Sequence, residues 1–355
     1  MLPQQITSHE TLLIITDAWE PQTNGVVTTI KSITAYLEQQ GYTVVVLTPQ
    51  RFFTVPTFYP NLHLSVPLFV GHHIRMVCPT RILIMTEGPL GMAARWYCAR
   101  KHIPFITALT TKWPEYICTH IGFPPVRWSY WLLRRFHRAA TTTLVATQSL
   151  KTFLERKGFN NLTLWTRGVD TQRFYPNTEA TEAMDFLPDC PRPLYLYAGR
   201  VSQEKNIDDF LTMAVEGTKV VVGTGPALEL LKQQYPTAVF LGLQTGETLR
   251  NIYASCDVLV FPSKTDTFGL VMLEALACGT PVVAFNVTGP RDIFSDETDA
   301  AALVATPEAL AAEAQRLARQ KPALLLQCVT IAQRYSWSKA VETLLAHWPG
   351  IVWPP

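Results

Sequence analysis

Two short apolar segments, Asp257–Phe261 and Val282–Phe285, flank the run Ser-Lys-Thr-Asp-Thr-Phe-Gly-Leu-Val-Met-Leu-Glu-Ala-Leu-Ala-Cys-Gly-Thr-Pro at 263–281. Apolar runs this short, bounded by turn residues, are buried strands. Leu270 to Cys278 carries helix formers and is stopped by Gly279 and Pro281. Strand, helix and strand at this spacing make a βαβ unit, which commits the region to a parallel sheet covered by helices. Thr265 or Thr267 is the expected N-cap, and the helix is expected to begin near Phe268.

Two features of this helix point to chemistry. Its first turn, Phe268-Gly269-Leu270, presents unpaired N–H groups and a positive dipole end, and Gly269 leaves the backbone open to close approach, so an anion is the expected occupant. Glu274 lies between Leu273 and Ala275 in an otherwise apolar helix, where an unpaired carboxylate costs several kcal/mol. It therefore needs a partner, and a neighbouring Arg or backbone N–H would serve as a purely structural one.

The same alternation runs through the rest of the chain. Leu12–Thr16 is a strand ending at Asp17, a loop through Pro21 and Asn24-Gly25 leads into a helix over about 26–40 that Gly41 stops, and Val44–Leu47 is the next strand. That order belongs to a doubly wound α/β sheet with its ligand edge near Asn24-Gly25. A dinucleotide fold would place GxGxxG there, and the loop lacks it. Arg81–Thr86, Pro104–Ala108, Thr142–Thr147 and Leu162–Trp165 continue the strands, and residues 171–193 carry Pro and acidic residues with little periodicity, as a linker does. The domains expected are 1–170, a linker at 171–193, a second α/β domain at 194–335, and a C-terminal helix and tail at 336–355.

That second domain opens on strand Leu194–Ala198, followed by Gly-Arg-Val-Ser-Gln-Glu-Lys-Asn at 199–206. Cations at a strand's carboxyl end sit where open α/β sheets bind ligands, so Arg200 and Lys205 read as a diphosphate clamp, one a planar fork and the other a point charge. Surface ion pairs to Glu204 or Asp208 are the structural alternative. Lys219–Val222 then runs into Gly223-Thr224-Gly225-Pro226, a tight turn of the kind found beside a bound nucleotide. Ala309–Gln320, Leu324–Arg334 and Trp337–His347 read as three further helices.

Charge separates the halves of the 355-residue chain. Residues 1–170 hold 16 Lys and Arg against 8 Asp and Glu, and the remainder 14 against 20, so +8 and −6 give the net +2. A basic first half suits an anionic membrane surface or an acidic acceptor. No basic helix-turn-helix or RNP-like run is present, so nucleic acid is not an expected partner. Arg127–Arg138 combines Trp128, Trp131 and Phe136 with arginines at helical spacing, the mixture of an interfacial helix, although an ordinary helix packed on its sheet has the same pattern. The Arg51–Pro60 loop is also aromatic and suits an acceptor groove. Seven scattered Cys without a CxxC, no HxH or HxxxH, and no apolar run of spanning length predict a cytoplasmic chain, peripheral at most on the inner face of the membrane, with no metal and no cofactor.

At Asp266-Thr267-Phe268-Gly269-Leu270…Glu274…Gly279-Thr280-Pro281 the sequence resembles the retaining GT-B glycosyltransferases of family 4 (group 1), near the bacterial α-mannosyl and lipid-glycosyl transferases. Asn24-Gly25-Val26, Gly199-Arg200…Glu204-Lys205 and Arg334-Tyr335-Ser336-Trp337 match further elements of that family, so the resemblance covers most of the chain. It implies two Rossmann-like domains facing across a cleft, with the C-terminal helix crossing back to the first. It also implies metal-free transfer of a hexose from a UDP- or GDP-linked sugar to a lipid or saccharide acceptor. Glu274 would hold the nucleotide ribose, Asp266 the hydroxyls of the transferred sugar, Arg200 and Lys205 the leaving diphosphate, and Asn24-Gly25 would face phosphate and acceptor. Two positions depart from the pattern: Asp266 is more often Glu, and Thr110 stands where relatives carry His. Thr110 motivates one alternative, a GT-B protein that binds nucleotide sugar with little turnover. A GT-B sugar-nucleotide epimerase is another.

Overall fold

In the computed structural model, which describes residues 10–22, 24–56, 63–110, 125–177, 187, 190–295 and 298–353, the chain divides after Thr166 and again after Ser336. The first unit comprises the residues before Arg167 together with Trp337 onward, and the second is Arg167–Ser336.

The first unit alternates β1 (Thr11–Ile15), α1 (Gly25–Gln39) and β2 (Thr43–Leu47), then inserts a hairpin of β3 (Phe53–Pro56) and β4 (His63–Val66). It continues with α2 (Val70–Val77), β5 (Arg81–Ile84), α3 (Pro89–Arg100), β6 (Ile106–Leu109), α4 (Val126–His137), β7 (Thr143–Val145), α5 (Gln148–Arg156) and β8 (Leu162–Leu164). Its sheet runs β2-β1-β5-β6-β7-β8, all parallel, with Leu13 beside Val45 on one side and Ile82 on the other. Such a sheet is covered on both faces, which is why Leu12–Ile15 is a continuous apolar run with no exposure.

The second unit repeats the plan with β9 (Leu194–Ala198), α6 (Ile207–Leu211), β10 (Thr218–Val222), α7 (Leu228–Gln234), β11 (Val239–Gly242) and α8 (Gly246–Ser255). β12 (Val258–Phe261), α9 (Leu270–Ala277), β13 (Val282–Phe285), α10 (Pro290–Ile293), β14 (Ala301–Val304) and α11 (Pro307–Gln333) follow, and the parallel sheet order is β11-β10-β9-β12-β13-β14. The final helix, α12 (Trp337–His347), belongs to the first unit. Trp165 Nε1 donates to Ala340 O (2.8 Å), Arg81 donates to the carbonyls of Leu345 (3.2 Å) and Trp348, and Trp353 Nε1 donates to Pro79 O (2.8 Å). The Arg81 bonds place a cation on carbonyls at the end of α12, where the helix dipole favours one.

Four expectations change. Helix α9 begins at Leu270 and its cap is Gly269 in a left-handed conformation (φ 96°), with no side-chain cap from Thr265 or Thr267. The two helices expected between 309 and 334 are one helix of 27 residues that continues through Pro322, because Leu317, Ala318, Leu324 and Cys328 bury a single stripe on both sides of it. Phe136 of α4 packs in the core with Ile84, Cys98 and Phe105, and only Trp128 and Trp131 face outward. Finally, residues 171–177 of the expected linker are part of the second unit: Phe174 is buried edge-on against Tyr253 (ring centroids 6.0 Å), and Asn177 Nδ2 donates to Asn251 Oδ1 (3.2 Å).

Candidate active site

In a doubly wound sheet, ligands bind beyond the carboxyl ends of the strands, where the strand order reverses. In the second unit that point lies between β9 and β12, and the loops leaving those strands carry most of the candidate residues. After β9 the chain turns at Gly199 and Arg200, and Tyr197, on the strand itself, donates its hydroxyl to Arg200 O (2.6 Å). Burial pushes the Tyr197 hydroxyl far above its ordinary pKa, so it remains a donor and fixes the loop. Arg200 Nε lies 4.0 Å from Glu204 Oε1. Lys205 Nζ donates to Asp266 Oδ1 at 2.5 Å, with both side chains about three-quarters covered. The structure thus brings Arg200, Lys205 and Asp266 to one place, with Lys205 paired to Asp266 and Arg200 beside Glu204.

Gly223 and Gly225 have a packing role. A Cβ on Gly223 would lie 1.8 Å from Gly199 O, and one on Gly225 2.2 Å from Val201 O. Across this contact Gly199 N donates to Val222 O (2.9 Å) and Val201 N to Thr224 O (3.0 Å). The two glycines therefore let the β10 loop brace the loop that carries Arg200. Phe268 is buried edge-on against Tyr335 (5.9 Å), and Gly269 holds a positive φ (96°) that an L side chain rarely adopts. Leu270 is half-buried at the start of α9.

Glu274 finds its partner on another helix. Tyr253, fully buried on α8, donates its hydroxyl to Glu274 Oε2 at 2.9 Å. Burial raises the Glu274 carboxyl above its ordinary pKa, while the Tyr253 hydrogen bond and the charge of Arg173 pull it back down. Nothing in the local sequence marks Tyr253 or Arg173, because their distance in the chain from Glu274 carries no periodic signal. Packing of α8 beside α9 brings Tyr253 to it, and docking of residues 171–177 against α8 brings Arg173 near it.

In the first unit Asn24 is spent on α1: its Oδ1 caps the N–H groups of Val26 (3.0 Å) and Val27 (3.1 Å), and Gly25 is the first helical residue. Asp17, at the end of β1, accepts from Leu90 N (2.8 Å), Gly91 N (3.1 Å) and Thr86 Oγ1 (2.9 Å), so an internal carboxylate fills the N-terminus of α3. Burial raises the Asp17 carboxyl, and these donors oppose the shift. Thr110 follows β6 and is half-buried, whereas its neighbours at 111–116 lie outside the described residues.

Two Rossmann-like units, with cations and acids gathered at the switch point of the second, define the GT-B class of glycosyltransferase fold. The Glycosyltransferase Family 4 model matches residues 23–173, and the Glycosyl transferases group 1 model matches residues 192–320. A GDP-mannose-dependent α-mannosyltransferase of Mycobacterium tuberculosis is 28% identical over 95% of this chain and 96% of its own. A protein of the same name from Corynebacterium glutamicum is 26% identical over 80% of this chain and 74% of its own. Among solved structures, sucrose-phosphate synthase from Thermosynechococcus elongatus superposes with a TM-score of 0.78 at 19% identity, covering 95% of this chain and 98% of that one. The chain belongs to the family 4, group 1 glycosyltransferases, and it is an enzyme of that class.

Proposed function

We propose that the enzyme transfers a hexose, with retention at the anomeric carbon and without a metal, from a nucleoside-diphosphate sugar to a hydroxyl of a lipid or saccharide acceptor. The observation that carries this reading is the grouping of Arg200, Lys205 and Asp266 at the switch point of the second unit. The names of the two mannosyltransferase relatives favour GDP-mannose as donor. As the bond from the anomeric carbon to the diphosphate oxygen breaks, negative charge gathers on the leaving diphosphate. Preorganised cations in a partly covered site stabilise such charge more than water does. In this reading Lys205 exchanges its Asp266 contact for the diphosphate, Asp266 is released to accept from sugar hydroxyls, and Glu274 accepts from the ribose. A leaving-phosphate oxygen takes the acceptor's proton as the new glycosidic bond forms on the same face, so no protein nucleophile is required.

Contact with an anionic membrane is part of the proposal. The outward face of α4 exposes Trp128 (67%) and Trp131 (49%) beside Arg127, Arg135 and Arg138, and the helix contains no acid. Aromatics at headgroup level with arginines toward anionic lipid make an interfacial face. Among the described residues no helix is long and apolar enough to cross a membrane.

The test is a thermal-shift panel of GDP, UDP, ADP and CMP on wild type and Glu274→Ala, followed by transfer assays with the matching sugar nucleotides and NMR of the product's anomeric configuration, with and without EDTA. A ligand at 100 times its dissociation constant adds about 2.7 kcal/mol, which such a panel resolves. One selective, Glu274-dependent shift and a retained configuration insensitive to EDTA are expected. An inverted product, or activity abolished by EDTA and restored by a divalent cation, would overturn the mechanism.

A further inference from the structure

The switch point of the first unit lies between β1 and β5, and the loop leaving β5 carries Glu87. This loop is tightly braced. A Cβ on Gly88 would lie 2.4 Å from the Asp17 carboxyl carbon, and one on Gly91 1.9 Å from Thr86 O, so Glu87 is presented from backbone that has little room to move. Glu87 retains slight exposure (12%), whereas the imidazole behind it, His137 at the end of α4, has none. His137 Nε2 lies 3.1 Å from Glu87 Oε1, His137 Nδ1 2.9 Å from Thr107 Oγ1, and Thr107 Oγ1 3.1 Å from Thr143 Oγ1.

An ionised carboxylate only accepts, so His137 donates from Nε2 to Glu87. His137 Nδ1, Thr107 Oγ1 and Thr143 Oγ1 continue the buried hydrogen-bonded series behind it, which fixes the imidazole and with it one carboxylate oxygen of Glu87. Among the described residues Oε2 has no hydrogen-bond partner. The neighbouring carboxylate, Asp17, is already engaged by two backbone N–H groups and a hydroxyl. Among the described residues Glu87 Oε2 is therefore a carboxylate oxygen at this strand edge with acceptor capacity left, and two carboxylates close together repel phosphate and carboxylate ligands. The chemistry that fits is a donor without negative charge, and among the groups a glycosyl acceptor carries that donor is a hydroxyl.

We propose that Glu87, set by the His137–Thr107–Thr143 series, binds a hydroxyl of the acceptor, and that the acceptor portion it recognises is an uncharged polyhydroxyl ring, a sugar or a cyclitol. The choice of an acceptor hydroxyl as the donor rests on the glycosyltransferase reading above; the oriented carboxylate does not. A hydrogen bond to a charged group contributes enough to change affinity by roughly tenfold or more.

The test is saturation-transfer NMR and titration of the full chain with methyl α-D-mannopyranoside and myo-inositol, comparing wild type, Glu87→Gln and Glu87→Ala. Gln keeps an oxygen for His137 Nε2–H and places an NH2 donor at the free position, so it tests recognition without leaving the buried imidazole unpaired. Thermal midpoints check folding. Saturation of at least one probe by wild type, weakened about tenfold or more in both variants, is expected. Equal binding by wild type and the folded Gln variant, or no binding of either probe to wild type, overturns the proposal. If the probes bind in a Glu87-dependent way while no nucleotide shifts the protein, the donor reading fails and the hydroxyl site stands.

Discussion

Tyr253→Phe removes one oxygen atom from a buried position and leaves the ring that packs edge-on against Phe174. That oxygen donates to Glu274 Oε2 at 2.9 Å. Hydrogen bonds to ionised groups contribute about 1.5–3 kcal/mol, so losing this one changes an equilibrium that depends on the oriented carboxylate by roughly ten- to hundredfold. The sign with pH follows from the causes of the Glu274 shift. Burial raises its pKa and the Tyr253 hydroxyl lowers it, so the variant's carboxyl titrates higher still. Ribose hydroxyls donate to the ionised form, so nucleotide affinity should rise with pH through the Glu274 titration and level off above it. In Tyr253→Phe that rise should move to higher pH, with weaker binding at every pH below the plateau. Calorimetric titration of GDP across acidic to neutral pH, with the thermal midpoint as a folding check, measures both effects. Unchanged affinity and an unchanged pH profile in a folded Tyr253→Phe protein would show that the hydroxyl does not set Glu274 for the ligand.

Lys205→Ala should lower transfer roughly 100-fold or more by removing charge at the leaving diphosphate. Its thermal midpoint should move little, because partly exposed pairs contribute only about 0.2–1 kcal/mol; equal losses of turnover and stability would mark the pair with Asp266 as structural. Gly223→Ala must fit a Cβ 1.8 Å from Gly199 O at φ 138°, and should cost about 3 kcal/mol or more, readable by chemical denaturation. On the proposed reading Thr110→His should bring no gain in transfer; a large gain would identify a degenerate acceptor side. Replacing Trp128 and Trp131 together with Ala should abolish flotation with anionic liposomes at low salt, and wild type that fails to float would remove the interfacial face from the proposal.

The sequence alone identified the parallel α/β plan, because apolar runs such as Leu12–Ile15 and Leu194–Ala198 and the Gly279–Pro281 stop are local signals with a fixed period. It also marked Arg200, Lys205 and Glu274, because charge at a strand end or inside an apolar helix conflicts with its surroundings and needs an explanation on the spot, whereas Asp266 stood out only through the family resemblance. Tertiary structure decided what those charges meet. Lys205 and Asp266 are 61 positions apart and pair because β9 and β12 are sheet neighbours. Tyr253 reaches Glu274 from another helix, 21 positions away, and Glu87 stands 50 positions from the His137 that orients it. Packing likewise overruled local signals at Thr265, Thr267 and Pro322, where capping and breaking preferences are smaller than the burial that fixes α9 and α11. Local chemistry determined which groups demand partners; only the crossing of strands and helices, which no periodicity encodes, decided which partners they have.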